Sequence, residues 1–96
     1  MPDYRRVYQP GGTYFFTVVT WGRCPIFLEA FARDALREAF HLTRERYPFD
    51  LDAICLLPDH LHCIWTLPEN DSDFSTRWRF LKTMFTYRYH EDHAAL

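Results

Sequence analysis

The chain has 96 residues, is 48% hydrophobic and 19% aromatic, and carries a formal net charge of −2. That length allows one small domain, and the apolar content excludes a disordered chain. The weakly acidic balance does not by itself mark a nucleic-acid binder. No apolar run approaches the roughly 18 residues needed to cross a bilayer.

The three cysteines, Cys24, Cys55 and Cys63, form no C-x-x-C spacing. Neither a disulfide framework nor a conventional zinc finger follows from them. Residues 1–8 are polar and charged, unlike a secretory signal, so the expected compartment is the cytoplasm. Charge is unevenly placed. Residues 49–73 hold six acids and no Lys or Arg, between two segments that are each net basic by two.

In chain order, Pro10-Gly11-Gly12 signals a turn, and residues 13–21 (TYFFTVVTW), rich in β-branched and aromatic side chains, predict a buried strand that residues 22–25 break. Residues 30–47 predict an amphipathic helix. Ala32, Ala35, Leu36, Ala39, Phe40 and Thr43 share its apolar face, and Pro48 stops it. Residues 49–57 and 60–67 predict two strands joined by a Pro58-Asp59 turn. A second helix is expected from Ser72 or Asp73 as cap, with Phe74, Trp78, Leu81 and Phe85 on one face. The order β-α-β-β-α predicts an α+β, ferredoxin-like split domain with an antiparallel sheet and without a fourth strand.

His60 and His62 stand two apart in a predicted strand, so both leave one face of the sheet while Leu61, Cys63, Trp65 and Leu67 leave the other. Two adjacent imidazoles flanked by Asp59 can offer two nitrogens to one divalent metal. A pair of strand histidines without a ligand has the same spacing, and the spacing does not choose between them.

The longer run from Leu56 to Pro68 (LLPDHLHCIWTLP) resembles the signature of the REP-associated tyrosine transposases, IS200-like members of the single-tyrosine HUH superfamily, named for His-hydrophobic-His. Tyr4-Arg5-Arg6, residues 11–20 (GGTYFFTVVT), Asp73-Phe74-Ser75 and Arg77-Trp78 are similar as well, so the resemblance covers most of residues 1–96 as the N-terminal part of such a domain. It implies DNA transposition by a single-strand endonuclease. A divalent metal, Mg²⁺ or Mn²⁺, is held by His60 and His62, and a tyrosine forms a covalent 5′-phosphotyrosine link. The implied partner is single-stranded or hairpin DNA, met through Arg5, Arg6, Arg77, Arg79 and Lys82, with steep salt dependence.

In that family the nucleophilic tyrosine follows a fourth strand, with a polar third ligand four positions later. The sequence ends at Leu96 with no visible counterpart to these parts, so whether these residues alone act as an enzyme stays open. The substitutes at the right spacing are Tyr87 with Glu91 and Tyr89 with His93, and a polar helix end explains them equally well. A first strand with no neighbour on its outer side would be a template for another chain, which predicts a homodimer. Three other readings remain. They are an inactive remnant that grips DNA, an RNA-binding split βαβ module, and a small metal-binding or structural dimer.

Overall fold

The computed structural model of the protein describes residues 9–94, with side chains as far as Glu91. Arg5 and Arg6 therefore lie outside the described residues. The elements are β1 (Thr13–Val19), α1 (Ala30–Arg46), β2 (Asp50–Leu57), β3 (His60–Thr66) and α2 (Phe74–Ala94). Two 3-10 turns, Trp21–Arg23 and Ile26–Leu28, lie between β1 and α1. The sheet is antiparallel with order β1-β3-β2, which leaves β1 and β2 as its edges among the described residues. This is the α+β arrangement expected from the element order. β1 ends two residues before Trp21 because the chain turns there, with Gly22 at φ 61 and Arg23 at φ 54.

The helices cover one face of the sheet. α1 buries the six residues that its apolar spacing selects. Asp73, rather than Ser72, caps α2, and its side-chain oxygen accepts the backbone N–H of Thr76 at 3.0 Å. Between helices and sheet lies an aromatic core. Trp65 of β3 stacks on Trp78 of α2 at 4.4 Å between ring centroids and on Phe49 at 4.2 Å, with Phe16 edge-on at 4.8 Å. Such contacts add about 0.5–1.5 kcal/mol per pair beyond area burial. They make Trp65, fully buried, the centre of the packing.

β2 departs from strict alternation. The register slips between Leu51, opposite Trp65, and Ala53, opposite Ile64, so Asp52 is the extra residue of a bulge. The slip keeps Leu51, Ile54 and Leu56 on the helix side and turns Ala53, Cys55 and Leu57 to the other face. At the sheet's start Gly12 has no room for a side chain, since a Cβ there would lie 2.7 Å from the Gln9 carbonyl oxygen.

Candidate metal and nucleic-acid site

The face of the sheet away from the helices carries the histidines. β3 alternates between half-exposed His60, His62, Ile64 and Thr66 and buried Leu61, Cys63 and Trp65, as a period-2 strand with one covered face must. The register sets Thr17 of β1 and Cys55 of β2 on either side of His62, and Val19 and Leu57 beside His60. The two imidazoles lie 4.9 Å apart between ring centroids, nearly perpendicular at 84°. Phe15, more than half exposed on the same face, stacks on His62 at 5.7 Å.

Each imidazole is held through the same ring nitrogen. Asp59 Oδ1 lies 2.7 Å from His60 Nδ1, and Thr17 Oγ1 lies 2.9 Å from His62 Nδ1. Nε2 is the remaining nitrogen of each ring. The second Asp59 oxygen accepts the Arg23 Nε–H at 3.0 Å. The hydrogen bond from His60 holds the Asp59 carboxyl below the ordinary carboxylate range. Partial burial opposes this, and the nearby Arg23 charge adds to it. Asp59 is therefore a carboxylate at neutral pH. Thr20 ties the turn after β1 to the same place, its N–H and hydroxyl both reaching the Asp59 carbonyl oxygen, at 3.0 and 3.1 Å.

The histidine pair offers two nitrogen donors, fewer than the six ligands of an octahedral divalent ion, and both Asp59 oxygens are already engaged. Among the described residues no three His, Cys, Asp or Glu side chains come together as a metal cage. The acidic block of residues 49–73 does not converge on the histidines. Asp59 reaches them, Asp52 accepts from Thr66, and Asp71 holds Arg77.

Arg77 corrects the expectation that it faces phosphate. It is 3% exposed, and its guanidinium forms two bonds to Asp71, at 3.1 and 3.0 Å, and others to the carbonyls of Tyr47, Pro48 and Asp73. Those contacts pin the loop before α2 to the end of α1, a structural duty that leaves no donor directed outward. Arg79 and Lys82 are exposed on α2, with Lys82 Nζ 5.9 Å over the Trp78 ring.

The tyrosine substitutes are also not brought to the histidines. Tyr87 is exposed on α2, and Tyr89 packs against Phe31 and Phe85. Both belong to a helix on the covered side of the sheet, whereas His60 and His62 face the opposite side. Sequence reasoning overlooked Thr17, Arg23 and Cys55. The signal for Thr17 was its place at the core-opposite parity of a TYFFTVV strand. Nothing local marked the other two, because only strand pairing and a left-handed turn bring them in.

A three-stranded antiparallel sheet with both helices on one face and a His-Leu-His strand on the other defines the class, an α+β domain with a histidine pair on its open face. The comparisons with known proteins name the group within it. Over 87 residues, 91% of its length, the chain is 47% identical to the REP-associated tyrosine transposase of Escherichia coli K12, covering 52% of that protein. It is 45% identical over 86 residues to a putative REP-associated tyrosine transposase of Haemophilus influenzae Rd, covering 48% of it. A solved structure of a REP-associated tyrosine transposase bound to a REP hairpin superposes with a TM-score of 0.81 at 47% identity, over 91% of this chain and 52% of that one. No protein-family model matches. The chain is related to the REP-associated tyrosine transposases and spans about half the length of the relatives it matches. No described helix is long and apolar enough to cross a membrane.

Proposed function

We propose that this chain is a DNA-binding part of a transposition system, and that its open sheet face holds a divalent metal at the phosphate of a single-stranded or hairpin DNA. One observation carries the reading. Two imidazoles on an uncovered face lie 4.9 Å apart between ring centroids and are each engaged through Nδ1, so Nε2 is the nitrogen by which each ring would meet a ligand. The relation to a transposase whose structure includes a REP hairpin supports DNA as the partner.

His60 and His62 would hold Mg²⁺ or Mn²⁺, which when bound neutralises charge on phosphate oxygens. Phe15 beside His62 offers an exposed ring to an unpaired base. Arg79 and Lys82 add phosphate contacts from α2. Arg5 and Arg6 belong to the same proposal through the sequence resemblance. The family's strand cleavage through phosphotyrosine is part of the reading for the assembled system, with the tyrosine assigned to neither Tyr87 nor Tyr89. The β1 edge pairs with a strand of a second copy.

The test is fluorescence anisotropy with a single-strand-flanked hairpin, with and without Mn²⁺. Binding that is salt-sensitive and stimulated by Mn²⁺ is expected, with the stimulation lost in the His60→Ala/His62→Ala variant. Absence of binding at tens of micromolar overturns the reading. A covalent protein–DNA adduct would separate an enzyme from a binding module, and light scattering reads the dimer.

A further inference from the structure

We infer that Arg23 and Asp59 form a clamp that fixes which nitrogen of His60 is presented on the open face, making both of them positioning residues for the metal site. The inference rests on the proposed metal role of the pair. Asp59 is a carboxylate whose two oxygens are divided between two donors. Oδ1 meets His60 Nδ1 at 2.7 Å, and Oδ2 meets Arg23 Nε at 3.0 Å. A carboxylate can only accept, so His60 Nδ1 must carry a proton, and in the neutral ring Nε2 then carries the lone pair. This is the state that a metal-ligating imidazole requires, set before any metal arrives.

His62 is different. Its Nδ1 faces the Thr17 hydroxyl at 2.9 Å, which can donate or accept, so that ring can adopt either tautomer. One ligand is preset and the other adapts.

The geometry around Arg23 gives the clamp its rigidity. Gly22 at φ 61 and Arg23 at φ 54 form a left-handed turn immediately after β1, and Arg23 is one of two described non-glycine residues with positive φ. Such a conformation persists where surrounding contacts hold it. Here the Arg23 N–H bonds to the Thr20 carbonyl, and Thr20 itself bonds to the Asp59 carbonyl through both its N–H and its hydroxyl. The turn and the β2–β3 connection are thus stitched at backbone level, and the Arg23–Asp59 pair is the side-chain part of that seam. As an ordinary surface ion pair, 63% exposed on the arginine side, it would add little to stability. Its consequence lies in orientation.

Asp59→Asn is the decisive variant because it preserves shape. Arg23 takes the amide oxygen, the amide nitrogen then faces His60 and donates, and Nδ1 must give up its proton. The measurement is two-bond ¹H–¹⁵N correlation of the histidine rings in the metal-free 96-residue protein, followed by Mn²⁺ titration read from paramagnetic broadening. The wild type should show His60 protonated at Nδ1. Asp59→Asn should move the proton to Nε2 and weaken Mn²⁺ binding by about 10–100-fold. Arg23→Gln should cause a smaller shift in the same direction, and His62 should keep its tautomer in both. His60 found with its proton on Nε2 in the wild type overturns the clamp. So does an unchanged tautomer or an unchanged Mn²⁺ affinity in Asp59→Asn. A wild type with Nδ1 protonated and no response to Mn²⁺ supports the fixed tautomer and overturns the metal role of the pair.

Discussion

The two faces of β3 invite comparison, because one strand of seven residues serves both. Leu61, Cys63 and Trp65 point to the helices and are buried, whereas His60, His62, Ile64 and Thr66 point the other way and keep part of their surface. On the covered face every neighbour is an apolar or aromatic group, and cohesion comes from area and ring contacts. On the open face Phe15, Val19 and Leu57 lie beside the histidines too, but the hydrogen-bonding groups Thr17, Asp59 and Thr13 are what fix direction. Buried packing and half-exposed hydrogen bonding are thereby separated by a change of a single position along the chain. The same contrast divides the two Arg–Asp pairs. In Arg77–Asp71 the arginine is buried and fastens two helix ends, while in Arg23–Asp59 the arginine is largely exposed and the aspartate also meets a histidine.

The sharpest way to break this division is to substitute adjacent parities. Trp65→Ala should cost about 3–5 kcal/mol, enough to threaten folding of so small a domain. His62→Ala should change stability by less than about 1 kcal/mol and should remove the Mn²⁺ response. Chemical denaturation of the two variants checks the first half, and metal titration the second. Comparable destabilisation by both would show that the open face is structural after all.

A second contrast sets Arg77 against its neighbours on α2. Arg77→Met should destabilise by about 2–4 kcal/mol, since Asp71 and three carbonyls lose their donors. Arg79→Ala and Lys82→Ala should each stay within about 0.5 kcal/mol of wild type. If the DNA proposal is right, each of these two lowers the salt slope of hairpin binding by about 1, whereas Arg77→Met leaves that slope alone.

Acid acts on both sides of the comparison. Asp59, Asp71 and Asp73 each have their carboxyl held below the usual value of 3.8, chiefly by hydrogen bonds from His60, Arg77 and the Thr76 backbone respectively. A carboxyl lowered on folding stabilises the native state above its unfolded pKa. That contribution is lost as pH falls through the folded value. Thermal unfolding should therefore show this contribution intact above about pH 5 and lost as pH falls below about 4. Asp71→Asn should blunt the fall.

The smallest effect is chemical. Burial pushes the Cys63 thiol up to about 12, whereas Cys24 and Cys55 are exposed. A maleimide should label Cys24 and Cys55 of the native protein and reach Cys63 only on unfolding. Because Cys55 lies opposite His62, bound Mn²⁺ should slow its labelling relative to Cys24.

Much of the architecture was legible in the residues. Period-3.6 spacing named all six residues that α1 buries, period-2 spacing separated His60 and His62 from Leu61, Cys63 and Trp65, and Ser72 or Asp73 marked the start of α2, the structure choosing Asp73. These features are local, and local periodicity encodes them. The family signature around the histidines was legible for the same reason, being contiguous. What tertiary structure alone decided depends on residues far apart in the chain. The bulge at Asp52 reversed the parity of β2, bringing Cys55 to the histidine face and leaving Leu51, Ile54 and Leu56 on the other side. Arg77 looked like a phosphate contact from its charge, yet a pocket built from the ends of α1 and the loop before α2 enclosed it. Arg23 sat in a break between predicted elements, and only the folding of that left-handed turn onto the β2–β3 connection, 36 residues away, placed its guanidinium on Asp59. Spacing along one strand determined that two histidines share a face, whereas contacts between strands and turns determined which nitrogen His60 turns outward.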